Sequence, residues 1–250
     1  MRRFGLVIIL LSVGILILRS NFFNIKKVDI ALDKINCTDS ETLRDSSGIL
    51  GQNLIFIDSS KIINNIKNQF ICVRKIVVSR QLPNKVKLSV SGREALGKLI
   101  KLNGEATRSA SPEEIATPSA QIFEGFLVDE DGVVFSKDTE QSSIQSIFID
   151  NIEISPGTKL GEGVTNTLKI LERVKIFNLN FQAVQILSNY LIIFPQIDNP
   201  KVIFRLNRDI DTQLASLQLI LDKAKIDEDI LEFIDLRFDK PIVRFAPKKK

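Results

Sequence analysis

From Phe4 to Leu18 the chain runs apolar without a charge, preceded by Met1-Arg2-Arg3 and followed by Arg19-Ser20-Asn21-Phe22-Phe23. A core of about fifteen residues is short for a bilayer of about 30 Å. It reaches about twenty when Arg19 snorkels and Phe22 and Phe23 lie at the interface. Basic residues ahead of the run keep the start of such a segment in the cytoplasm and send the rest outside. The pattern therefore predicts residues 1–3 as a cytoplasmic tip and 4–23 as an uncleaved transmembrane anchor. A cleaved signal peptide competes with this reading, since the core length also suits one, but Leu16 to Asn21 offers no A-x-A-like cleavage site.

Past the run the periodicity predicts β-α-α-β-β over residues 24–97. Ile25 to Leu32 reads as a strand with Val28, Ile30 and Leu32 on one face. Asp39 or Ser40 caps a short helix through Leu43 that stops near Gly48, and Asp58 or Ser59 caps a second carrying Ile62, Ile63 and Ile66. Val73 to Arg80 and Lys85 to Val90 read as strands joined by Gln81-Leu82-Pro83-Asn84. In the latter strand Val86, Leu88 and Val90 alternate with Lys85, Lys87 and Ser89, one face dry and the other wet.

Apolar periodicity fails from Lys101 to Glu124, where Asn103-Gly104, Ser109-Ala110-Ser111-Pro112 and Thr117-Pro118-Ser119 mark a linker or exposed loop, taken as residues 98–124. A second domain over residues 125–246 opens with Gly125 to Phe135, two short strands around an acidic turn. Ile147 to Ile149 continues as a strand and Ser155-Pro156-Gly157 as a turn. Val164, Leu168, Leu171 and Lys175 recur at helical spacing, with Ile170 and Val174 widening the apolar face. A hairpin follows from Phe181 to Phe194 around Ser188-Asn189, then a strand from Lys201 to Leu206 and a helix carrying Leu214, Leu217 and Leu221 that Asp211 caps. Phe233 to Phe238 and Ile242 to Phe245 close the domain, ahead of a basic tail at 247–250. The fold class is α+β: an anchor, a β-α-α-β-β domain, and a mixed β-rich domain with helices packed on a sheet.

Composition narrows the chemistry. The 250 residues carry 34 basic and 30 acidic side chains, so the net charge of +4 lacks the dense basic stripe that phosphate neutralisation needs. With no Trp and one Tyr, stacking platforms for single strands are missing too, and nucleic acid is set aside as a partner. The absence of His excludes imidazole-based triads, zinc sites built on imidazole and the usual base poised near neutral pH. Cys37 and Cys72 are too few for a thiolate cage. They either pair in an oxidising compartment or lie as buried free thiols.

Two motifs invite chemistry and fail on spacing. Gly92-Arg93-Glu94-Ala95-Leu96-Gly97-Lys98 follows the start of a Walker A loop, but Leu99 stands where the magnesium-binding hydroxyl belongs. The acidic turn Asp129-Glu130-Asp131-Gly132 lacks the distal Glu of a calcium loop and the cleft-spanning separation of a glycosidase pair. A turn whose Asp side chains satisfy their own backbone accounts for it. No G-x-S-x-G elbow or S-x-x-K pair is present, so no catalytic, cofactor-binding or metal-binding residues are assigned and no small-molecule substrate is implied.

The runs Phe23-Asn24-Ile25-Lys26-Lys27-Val28, Gly48-Ile49-Leu50-Gly51-Gln52-Asn53-Leu54-Ile55-Phe56-Ile57-Asp58 and Val78-Ser79-Arg80-Gln81-Leu82-Pro83-Asn84-Lys85-Val86 resemble the POTRA domain of the FtsQ/DivIB family of bacterial cell-division proteins. Val128-Asp129 to Phe135 resembles the opening of that family's β domain, and Phe233 to Asp239 its closing segment. Two departures stand out. Gly92-Arg93-Glu94-Ala95 replaces the family's Glu-Arg-x-Pro-like exit, and Lys240-Pro241 replaces the small residues usual after its aromatic. The resemblance implies a non-enzymatic, single-pass scaffold of the cytoplasmic membrane, enriched at the division septum. It would recruit partners of FtsB and FtsL type and link them to septal peptidoglycan synthesis. Those partners would add to the terminal strand edge, and the matching positions are Phe238, Lys240 and Phe245. The residues themselves leave open whether Phe238 and Phe245 instead fill the core. The competing functions are a POTRA-containing scaffold of another envelope or secretion assembly and an envelope hydrolase built on carboxylates or a Ser-Lys pair.

Overall fold

Alternation of Val28 and Ile30 with Lys27, Asp29 and Asp33 makes Lys27–Asp33 strand β1. The computed structural model, which describes residues 13, 16, 18–35, 37–102, 124–138, 144–150, 153–196, 199–227 and 230–247, continues with α1 (Ser40–Ser47), α2 (Ser59–Gln69), β2 (Val73–Gln81) and β3 (Lys85–Gly92). Asp39 starts α1 by accepting the amides of Glu41 and Thr42 at 2.8 Å each, and Gly48 ends it at φ 61°, a left-handed position that a side chain would strain. Asp58 starts α2 in the same way through Ser60 and Lys61. The sheet order is β1-β3-β2. β1 lies parallel to β3, and β2 and β3 form an antiparallel hairpin. Ile62 and Ile66 of α2 and Leu43 of α1 pack on Val28, Val86, Leu88 and Val90 to form the core.

Cys37 and Cys72 form a disulfide with Cα atoms 6.6 Å apart, which resolves the two readings of these thiols. It ties the segment leaving β1 to the residue before β2, closing a loop across both helices.

The described residues divide into two compact units between Arg93 and Glu94. In the second, β4 (Gly97–Leu102), β5 (Gly125–Val128), β6 (Val134–Lys137), β7 (Ser146–Asp150), α3 (Glu162–Ile176), β8 (Phe181–Leu187), β9 (Tyr190–Pro195), β10 (Lys201–Arg205), α4 (Ile210–Ile226), β11 (Leu231–Asp235) and β12 (Ile242–Phe245) follow in order. They build one nine-stranded sheet ordered β12-β11-β10-β9-β8-β7-β4-β5-β6. β7-α3-β8 and β10-α4-β11 are parallel crossovers, the helices supplying the length such connections need. Both helices pack on one sheet face, where Leu168, Leu171, Val174, Leu214 and Leu217 meet Val184, Leu191, Val202, Phe204 and Ile234. Ile100, Phe148, Ala183 and Phe194, at alternate positions, form a smaller cluster on the other face.

Several sequence readings change. Residues 98–102, read as linker, are strand: Leu99 is fully buried, and β4 sits between β5 and β7. Gly97 and Lys98 open that strand, where a nucleotide loop would need a helix. The remainder of the presumed linker, 103–123, lies outside the described residues, as does tail residue 248 onward. Asp209 rather than Asp211 caps α4, accepting the Asp211 amide at 3.2 Å. The strand read as Phe233 to Phe238 stops at Asp235.

The anchor over 4–23 falls mostly outside the described residues. Val13, Leu16 and Leu18 are helical and exposed. No helix among the described residues is long and apolar enough to cross a membrane.

Candidate functional site

β12 is an outer strand of the large sheet, and among the described residues only β11 pairs with it. The antiparallel register sets Asp235 opposite Ile242, Ile234 opposite Val243, Phe233 opposite Arg244 and Leu231 opposite Phe245, with one irregularity between Leu231 and Phe233. Beyond the strand, the Ala246 amide donates to Ile230 O at 2.8 Å. Backbone groups alternate sides along a strand. Residues 242 and 244 therefore face β11 like 246, and the amide and carbonyl of Val243 and of Phe245 face outward. An extended peptide can continue the sheet through these groups.

Phe238 and Lys240 do not lie in a strand. They occupy the bend between β11 and β12. The cause is Asp235, a buried carboxylate that turns the chain by accepting the Arg237 amide at 3.1 Å. It also takes the Arg237 guanidinium through Nε at 2.9 Å and Nη2 at 2.6 Å. These bonds hold the Arg237 guanidinium even further above neutrality than usual, so it stays charged at any working pH. Its Cζ lies 5.0 Å from the Tyr190 ring centre and 5.6 Å from that of Phe238, so one cation orders two aromatics. Phe238 is 52% exposed and Phe245 49%, which excludes the reading that both fill the core; Lys240 is exposed too.

Three arginines, not singled out from the sequence, gather beside Phe238. Arg205, Asn207, Arg208, Arg237, Phe238 and Asp239 line an open cavity of about 320 Å³. Arg208 pairs with Asp239 and donates to Arg237 O at 3.4 Å. Arg205 donates from Nε to Asn207 Oδ1 at 2.9 Å, and its backbone is held at both ends by the buried Gln213 amide at 2.8 and 2.9 Å. The three guanidiniums meet two carboxylates, Asp239 and the buried Asp235, so the cavity keeps a modest positive excess that suits a carboxylate. A sequence signal existed in Asp235-Leu236-Arg237-Phe238, but Arg205 and Arg208 are distant in sequence and reach the site only through the parallel β10-α4-β11 crossover.

The acidic turn satisfies its own backbone, as read. Asp129 Oδ1 accepts the amides of Asp131 at 3.1 Å and Val133 at 2.8 Å, and Gly132 takes φ 75°. Among the described residues no group of acidic or thiol side chains is arranged to hold a metal ion.

The order β1-β3-β2 with two helices on one face is a POTRA fold, and residues 23–93 match the family model for the POTRA domain, FtsQ-type. Residues 23–93 are thus an FtsQ-type POTRA domain, and the match supports the resemblance to the FtsQ/DivIB family. No curated protein matches the chain closely enough to count as a relative.

Proposed function

We propose that this protein is a non-enzymatic, single-pass scaffold of the bacterial divisome. In this reading residues 4–23 anchor it in the cytoplasmic membrane, the N-terminus stays in the cytoplasm, and both folded units lie outside, enriched at the septum. Its partners are membrane proteins of FtsB and FtsL type, which add a strand to β12 and so connect the anchor to septal peptidoglycan synthesis. The observation that carries the reading is the FtsQ-type POTRA match at 23–93 on a chain whose strand β12 is paired on one side only among the described residues. In this reading the exposed side chains of Phe238, Lys240 and Phe245 act as its side-chain contacts. The cavity formed by Arg205, Arg208 and Arg237 receives an acidic residue of the partner, which fixes register where backbone pairing alone would allow slippage. The disulfide agrees with an oxidising compartment outside the cytoplasm.

Co-purification of the full chain with its cognate FtsB-like protein tests the edge. Binding that falls sharply in Phe238→Ala, with the fold intact by circular dichroism, is the predicted result. Unchanged binding rejects the edge, and a uniform membrane distribution through constriction favours a scaffold of another envelope assembly.

A further inference from the structure

We infer that the end of the POTRA unit next to the anchor is a lipid-contacting surface that seats on the anionic face of the bilayer. The inference rests on the membrane-anchored reading and asks more of it: that the unit is docked on the membrane rather than hanging from it.

Where the chain leaves the apolar run, it is bound into the folded unit instead of entering through a free linker. Leu18 O accepts from Asn53 Nδ2 at 2.9 Å, Phe23 O accepts the Leu54 amide at 2.8 Å, and the Ile25 amide donates to Gln52 O at 2.8 Å. One residue on, the Lys26 amide donates to Asn84 O at 2.9 Å. Arg80 reaches across to Ile57 O at 2.8 Å. The exit segment, the turn at 50–57 and the tip of the β2–β3 hairpin are thereby held together at one end, within a few residues of where the apolar run stops.

That end exposes the wrong side chains for water. Phe22 is 63% exposed, Phe56 60% and Leu82 73%, with Leu50 beside them. Five of the seven exposed large apolar side chains between Leu18 and Arg93 lie here; the exceptions are Leu32 and Val77. Single exposed apolar residues need no explanation, but a cluster at one end does.

The charges nearest the cluster are mostly positive, with Asp29 and Asp58 just outside it. Residues 18–27, 50–57 and 80–85 contain Arg19, Lys26, Lys27, Arg80 and Lys85 and no acidic residue. Lys27 and Lys85 are register partners in the parallel ladder, a like-charge juxtaposition that nearby anions relieve, and Asp29 pairs with Lys27 at 3.0 Å. Apolar tips ringed by cations match the layering of a bilayer surface, acyl chains below and anionic headgroups around. The occupant is therefore the bilayer that the apolar run enters.

The chain contains no Trp, so single reporters can be read without background. Phe56→Trp, Leu82→Trp and, as reference on β2, Val77→Trp are made in the full chain and reconstituted into vesicles of phosphatidylcholine with phosphatidylglycerol. With acyl-brominated lipid, Phe56→Trp and Leu82→Trp should lose more than half of their emission while Val77→Trp keeps its own. Omitting phosphatidylglycerol should weaken that quenching. The wild-type chain, free of any folding defect a substitution brings, should show slower amide exchange around Phe56 and Leu82 in discs with phosphatidylglycerol than in discs without. Unquenched Phe56→Trp and Leu82→Trp in a chain that floats with the vesicles, or equal quenching at all three positions, overturns the inference and leaves the anchor standing. A chain that does not float overturns both.

Discussion

Arg237 grips Asp235 two residues back with its amide and its guanidinium together, and this local clasp ends β11, releases the chain into the bend and aims Phe238 outward. The clasp lies between a buried anion and a half-exposed cation, so its loss is felt on the buried side.

Arg237→Ala strands the Asp235 carboxylate. The second unit should lose about 1–3 kcal/mol in denaturant unfolding, the usual cost of a buried acceptor without its donor. Arg237→Lys should recover part of the stability but not the ordering of Tyr190 and Phe238, because an ammonium has no planar fork to span both carboxylate oxygens. Equal stability of all three proteins contradicts this account of the bend.

The alternation along β12 makes Pro substitution directional. Val243→Pro removes an amide that faces outward, so the fold should survive while strand addition by a partner is abolished. Arg244→Pro removes one that faces β11 and should cost about 1–3 kcal/mol of stability. Thermal melts and binding measured on both variants read the two effects separately; the reverse pattern would mean the outward assignment of Val243 is incorrect.

Reduction of Cys37–Cys72 frees a loop with sequence separation 35. Loop-closure entropy puts the loss for the POTRA unit at roughly 3–4 kcal/mol. Cys37→Ser with Cys72→Ser should melt lower by a matching amount and become indifferent to reductant, whereas a wild-type melt unchanged by reductant argues that the bond contributes nothing.

Asp39 is held below its ordinary value, chiefly by the Thr42 amide and then by the Thr42 hydroxyl. A depressed folded value means its contribution is complete above the ordinary carboxylate range and drains away as pH falls toward the folded value. Asp39→Asn retains an acceptor for α1 but not the charge, so its acid unfolding should lose that part of the pH dependence. A parallel pH profile for the two proteins would exclude Asp39 as a contributor.

The first unit was almost wholly legible in the sequence because its signals are local. Asp39 and Asp58 cap, Gly48 and Gly51 take positive φ, and Val86, Leu88 and Val90 alternate on the one strand that is paired on both sides. β4 was missed because its strand partners, β5 and β7, lie beyond a polar stretch, and six residues beginning with Gly97-Lys98 carry little pattern of their own. The end of β11 was missed for another reason: Phe238 continues an apolar alternation, and only the Asp235–Arg237 contact breaks it. Phe238 and Phe245 were legible as candidates but not as exposed ones. The arginine cavity was invisible, since a crossover assembles it from Arg205, Arg208 and Arg237.

In the proposed reading this POTRA protein works in cell division. Imaging a fluorescent protein fused before Met1 in dividing cells, beside a version truncated at Gly125, tests it most directly. Midcell enrichment of the full chain that is lost on truncation is the predicted result. Uniform membrane signal throughout constriction would contradict it.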